Sequence, residues 1–290
     1  MTYYSEAPSF NDKDTLFVIG NGFDLFHGLS TKYNHFYLWL KNNGYTEFTE
    51  NMSKVFYELN DDTNMWADFE RSLSKVDIDL LHEIYIDLYP NAEKDIVVNT
   101  IEPTIRLIPE MLRKWIGSIS LDNINPKIPI SKDAHFLNFN YTMTLETVYD
   151  VPNNRVCHIH NSLDSNQNLI VGCDKAPVDF SILDKKEIDV TQTKVRHEAI
   201  IALERVIKDT KGAYYAHKSF FENLRHIKKV IVLGHSLSEI DRFYFKKLLT
   251  IVPNETKWFV SCYSISEYNT LFNNSVKLGI PDAHIFEFYN

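Results

Sequence analysis

The residues best suited to chemistry fall in four short polar stretches, each directly after an apolar run. They are Gly20-Asn21-Gly22-Phe23-Asp24, Asn138-Phe139-Asn140-Tyr141-Thr142, His158-Ile159-His160-Asn161-Ser162 and Gly234-His235-Ser236-Leu237-Ser238-Glu239-Ile240-Asp241. In the first, two glycines permit close backbone approach by a ligand, but the acid that follows would repel a pyrophosphate. Asp24 therefore suits ribose hydroxyls or a developing cation; its local alternative is a helix-start residue favoured by the helix dipole. The second stretch offers Asn140 and Thr142, residue types that also cap helices. In the third, strand alternation puts His158 and His160 on one face and Cys157 on the other. That counts against a Cys/His metal site and leaves a two-His site without nearby carboxylate ligands. The fourth resembles a serine nucleophile elbow, yet Ser238 stands where the last glycine belongs. The one later histidine, His284, lies too close to Asp282 for the usual separate triad loops. Ser236-x-x-Glu239 and Ser238-x-x-Asp241 instead have capping-box spacing.

The elements that must position these residues read as strands at 15–20, 135–140, 156–160, 229–234 and 257–263, with an edge strand at 284–289. Helical patterns follow most of them, as in TLETVYD, SEIDRFYFKKLLTIV and SEYNTLFNNSVKLG. This alternation predicts a single Rossmann-like α/β domain over 1–290, with a mostly parallel sheet and helices on both faces. Sites in such sheets form at the carboxyl ends of strands, so the four stretches should face one cleft. A large all-helical insertion is expected at about 30–130, between the first and second core strands. Tyr33, Phe36, Tyr37 and Leu40 recur there at helical spacing, Trp66, Phe69, Leu73 and Val76 less regularly, with prolines 90, 103, 109, 126 and 129 as punctuation. A second helical stretch is expected at about 191–225.

The totals bound the function. A formal charge of -9 and no long Lys/Arg run argue against direct nucleic-acid binding. No apolar run approaches the roughly 18 residues of a membrane span, and the N-terminus lacks the pattern of a signal peptide. Three cysteines without paired spacing argue against a disulfide framework. These features predict a cytoplasmic protein.

Taken together, VIGNGFDLFHGL, the Trp66–Glu70 segment, FLNFNYTMTLE, HIHNSLD and VLGHSLSEID resemble the AbiH family of bacteriophage abortive-infection proteins across roughly residues 15–250. More distantly, the same order is similar to sirtuin-like NAD-binding domains. The second resemblance implies that Gly20 and Gly22 approach a nucleotide and that Asn140 holds the nicotinamide ribose. It also implies His160 as catalytic base, with Gly234 and Ser236 at the adenosine half. Thr142 stands at the place of an acid in that pattern, and Asn161 at the place of a glycine. The cysteine zinc ribbon of the deacetylating enzymes is absent, which argues against deacetylation.

The expected chemistry is hydrolysis of NAD at the nicotinamide–ribose bond. His160, Asn140 and Asp24 are the catalytic candidates. Gly20, Asn21, Gly22, Phe23, Thr142, His158, Gly234, His235, Ser236 and Asp241 are the nucleotide-contacting ones. NAD is the expected substrate or ligand, and no metal is expected. Partners would be the nucleotide and a phage-derived trigger or partner protein, with self-association left open. Two alternatives remain: a nucleotide-sensing module that signals without turnover, and a metal-dependent hydrolase or nuclease using His158 and His160.

Overall fold

Five consecutive buried residues, Thr15–Ile19, form β1, and such a run must be covered on both faces. The structure is a computed structural model whose described residues are 4–60, 62–76, 100–174 and 199–288. With β2 (His135–Asn138), β3 (Val156–His158), β4 (Lys229–Leu233), β5 (Lys257–Cys262) and β6 (His284–Glu287), β1 builds a six-stranded sheet. Its order is β3-β2-β1-β4-β5-β6, and every neighbouring pair is parallel. This is a Rossmann-like α/β fold, with strand order reversing between β1 and β4. Ile19 lies level with Asn138 and Leu233, and Asn138 with His158. All four polar stretches therefore leave the sheet near one rung.

One face of the sheet packs Phe17, Ile19, Phe136, Ile231 and Leu233 against Phe23, Phe26, Leu145, Val148 and Tyr149. These last five come from the helices Asn21–Phe26 and Thr144–Tyr149. The alternate residues Leu16, Val18, Leu137, Val230 and Val232 are equally buried, so the second face is covered too. Two strands stop earlier than their apolar runs suggest. β2 ends at Asn138 and β3 at His158, each followed by one further backbone bond to its neighbour, Phe139 N–H to Ile19 O and Ile159 N–H to Asn138 O. All three cysteines are free and buried.

The chain divides into two compact units. The first, Met1–Thr31, Ile116–Gln167 and Asp209–Asn290, contains the sheet; the second comprises Lys32–Trp115 and Asn168–Lys208. In the second unit the helix Tyr33–Asn42 buries Phe36, Tyr37 and Leu40. Trp66 stacks on Phe69 with ring centroids 5.5 Å apart, and Phe36 meets Trp115 at 5.1 Å. Trp66 lies within a 3-10 turn, Thr63–Asp68, before the short helix Phe69–Ser72. The change in helical pitch explains why that apolar stripe is irregular in the sequence. Lys208 Nζ donates to both carboxylate oxygens of Glu70 at 3.2 Å, with 1% of the Lys208 side chain exposed. Pro109 does not end a helix: it lies inside Glu102–Gly117, where burial of Ile105, Ile108, Met111, Leu112 and Trp115 offsets the lost hydrogen bond. Of the second helical stretch, residues 191–198 and, of the insertion, Pro90 lie outside the described residues. Among the described residues, helix is present at 199–203, Glu204–Val206, Thr210–Ala216 and Lys218–Glu222.

Candidate functional site

The loop after β1 is built against the loop after β4. Gly20 N–H donates to Leu233 O at 2.9 Å, and Gly22 N–H donates to Gly234 O at 2.8 Å. A Cβ on Gly20 would lie 2.6 Å from His235 Cα, and one on Gly22 would lie 2.6 Å from Gly234 Cα. Gly234 itself has φ +66° and rests on the backbone of Gly22 and Phe23. All three glycines thus serve loop-to-loop packing at the switch point, and the Gly22 amide is engaged by the protein. Gly234 N–H also donates to Ser261 Oγ (2.9 Å), and Tyr263 O–H donates to Gly22 O (3.0 Å). Asn21 and Ser236 lie exposed on the two loops, and Phe23 is core.

Asp24 is 1% exposed and turns inward from the first turn of the helix Asn21–Phe26. Thr142 and Thr144 hydroxyls donate to its two oxygens at 2.6 and 2.7 Å. Burial pushes its carboxyl up to about 6, against the opposing effect of the hydrogen bonds from Thr142, Thr144 and Asn140. Neither Asn140 nor Thr142 caps the following helix, whose N-cap is Met143. Asn140 Nδ2 donates to Gly20 O at 3.1 Å, and its backbone N–H to Asn138 Oδ1 at 3.0 Å. Where the sirtuin-like pattern carries an acid, Thr142 therefore brings a hydroxyl that holds an acid supplied by another loop.

His158 and His160 do not act as a pair, because β3 ends between them. His158 Nδ1 donates to Asn140 O at 3.1 Å, while its Nε2 lies 2.9 Å from Glu146 Oε1. Both ring nitrogens are thus engaged by neighbouring oxygens. His160 is 3% exposed and directs Nε2 at Asp241 Oδ1, 3.6 Å away. Asp241 Oδ2 lies 3.2 Å from His235 Nε2, and Leu237 N–H donates to His235 Nδ1 at 3.0 Å. The Phe139 ring sits edge-on to both histidines, at 5.2 Å from His160 and 4.4 Å from His235. Asn161 takes φ +63°, the left-handed turn for which asparagine is suited where a glycine would otherwise stand. Ser238 precedes the 3-10 turn Glu239–Asp241 without a side-chain cap, since Asp241 faces the histidines. His284 stacks on Phe259 within the sheet, so no serine triad forms. Among the described residues no group of three or more His, Cys, Asp or Glu is arranged to hold a metal ion, and no helix is long and apolar enough to cross a membrane.

Thr144, Glu146, Ser261 and Tyr263 join the site without having been expected there. The same strand-end argument, applied to β5, finds Ser261 and Tyr263. Thr144 and Glu146 carry no such signal, since in sequence they are ordinary helix-start residues.

The fold and this cluster define a doubly wound α/β protein with titratable side chains gathered at its switch point. The profile of the bacteriophage abortive infection AbiH family matches residues 16–262, and the chain belongs to that family. Its membership supports a role in abortive infection against bacteriophage, in line with the resemblance carried by GNGFD and GHSLSEID. No curated protein and no solved structure matches the chain.

Proposed function

We propose that this AbiH protein acts in phage defence by hydrolysing NAD at the nicotinamide–ribose bond, at the switch point of its sheet. One observation carries the reading: a buried carboxyl raised to about 6, on the helix after β1, and a histidine beside a carboxylate, on the loop after β3, both stand at that point. Departure of nicotinamide leaves positive charge on the ribose. Asp24, ionised above pH 6, would stabilise that charge in surroundings poor in water. His160 would take the proton from the attacking water, and the Asn140 amide oxygen would accept from a ribose hydroxyl. Asn21 and Ser236, exposed on the paired loops, would meet the remainder of the nucleotide. Following nicotinamide release from NAD tests this: His160→Ala and Asn140→Ala should each slow release by about 100-fold or more. Release undiminished in both variants would remove the mechanism.

The engaged glycine loop favours a second reading, a nucleotide sensor without turnover. The Gly22 amide donates to Gly234, so the backbone cradle typical of dinucleotide sites is filled by the protein itself. That reading predicts calorimetric binding of NAD or ADP-ribose with no nicotinamide formed.

A further inference from the structure

Asn140 lies two residues past the end of β2 and is held by means other than the sheet ladder. A buried peptide group in that position needs partners of its own. Its N–H donates to Asn138 Oδ1 at 3.0 Å, and its side-chain Nδ2 donates to Gly20 O at 3.1 Å. Its carbonyl accepts from His158 Nδ1 at 3.1 Å. A carbonyl oxygen can only accept, so that ring nitrogen bears a proton. The far side of the ring is fixed as well, with Nε2 2.9 Å from Glu146 Oε1. Only 12% of the His158 side chain and 11% of the Glu146 side chain are exposed. Whichever atom carries the proton between them, the ring is clamped at both nitrogens.

We infer that His158 and Glu146 are positioning residues for Asn140 and not contacts to the nucleotide. The line runs from Glu146, on the helix after β2, through His158, at the end of β3, to the Asn140 main chain. Gly20 O likewise only accepts, so the Asn140 amide nitrogen must face it. That leaves Oδ1 as the acceptor for a ribose hydroxyl. His158 thus fixes the backbone from which the side chain springs, and Gly20 fixes its rotation. Without the His158 contact Oδ1 would drift, and a displacement of about 1 Å at a reacting centre costs about 100-fold in rate. The kinetic consequence rests on the proposed NAD reaction, whereas the clamping of Asn140 is a property of the protein without ligand.

Two substitutions at position 158 separate the donor from the ring. Asparagine places an N–H close to the Nδ1 position and keeps the bond to Asn140 O; glutamine reaches the Nε2 position and leaves that carbonyl bare. In protein labelled with 15N-asparagine, the side-chain amide of Asn140 is assigned by its loss in Asn140→Ala, and its exchange with water is followed. Exchange should quicken by about 10-fold or more in His158→Gln and in Glu146→Ala. It should stay near native in His158→Asn and in Glu146→Gln, which preserve both contacts. Native exchange in His158→Gln, or equal quickening in His158→Asn, would overturn the inference. Nicotinamide release from NAD should in turn fall about 10–100-fold in His158→Gln and recover in His158→Asn. The double variant His158→Gln with Asn140→Ala should be no slower than Asn140→Ala alone. Losses that multiply would make His158 an independent contact and reject the positioning role. Should native protein release no nicotinamide, the NAD reading fails while the exchange measurement still decides whether His158 holds Asn140.

Discussion

Asp24 links burial to a measurable pH dependence. Its carboxyl is raised from 3.8 to about 6 in the folded chain, so between these values the native state holds a proton that the unfolded chain releases. Its contribution to stability is therefore fully present below pH 3.8 and is lost as pH rises through about 6, a difference of about 3 kcal/mol. Asp12 and Asp14, held low by hydrogen bonds from Lys229 and Lys228, act in the opposite sense. The readout is thus native protein minus Asp24→Asn. In urea unfolding at pH 4.5 and 7.5, the native protein should lose stability relative to the variant as pH rises; parallel curves would reject the assignment. None of this burial was legible in GNGFD. The partners of Asp24 are 118 and 120 residues away, and a sequence displays only local partners. Thr142 and Ser238 accordingly read as caps, until tertiary contacts engage or bypass their hydroxyls.

Among the elements, the paired loops after β1 and β4 make a prediction that separates two kinds of glycine. Gly279 ends the helix Ile265–Leu278 at φ +81°, and an added Cβ would meet open space. Gly279→Ala should cost about 1 kcal/mol, from backbone conformation alone. Gly234 combines φ +66° with the Gly22 and Phe23 backbone in its Cβ position, so Gly234→Ala should destabilise far more, by strain and lost loop pairing together. Thermal unfolding of the two variants compares them directly, and equal losses would contradict the packing account. The strands themselves were readable because each is a short apolar run closed by a turn signal. Their order was not. Nothing along the chain says that Gly22 meets Gly234, and so the glycines read as a ligand cradle. The sequence around Ser238 likewise offered Asp241 as a nucleotide contact and gave no sign of its histidine partners, which lie on the loops after β3 and β4.

For the whole molecule, the second unit hides an ion pair that its helical pattern does not reveal. Buried Lys208 and partly buried Glu70 are partners 138 residues apart. Replacing Lys208 by Met removes this ion pair and should cost about 1–3 kcal/mol. The double change Lys208→Met with Glu70→Leu should recover most of that loss in urea unfolding; a double variant as weak as the single one would show that other Lys208 contacts dominate. The position of β1 has a consequence for synthesis. Its neighbours in the sheet are residues 135–138 and 229–233, so Thr15–Ile19 leaves the ribosome long before either exists. At about 5–20 residues per second the wait for β4 is roughly 10–40 s. During that time the most apolar strand of the protein must be sheltered by something other than its own sheet. A nascent chain halted before residue 229 should therefore be held by chaperones at its N-terminal segment, and release of β4 is the event that frees it.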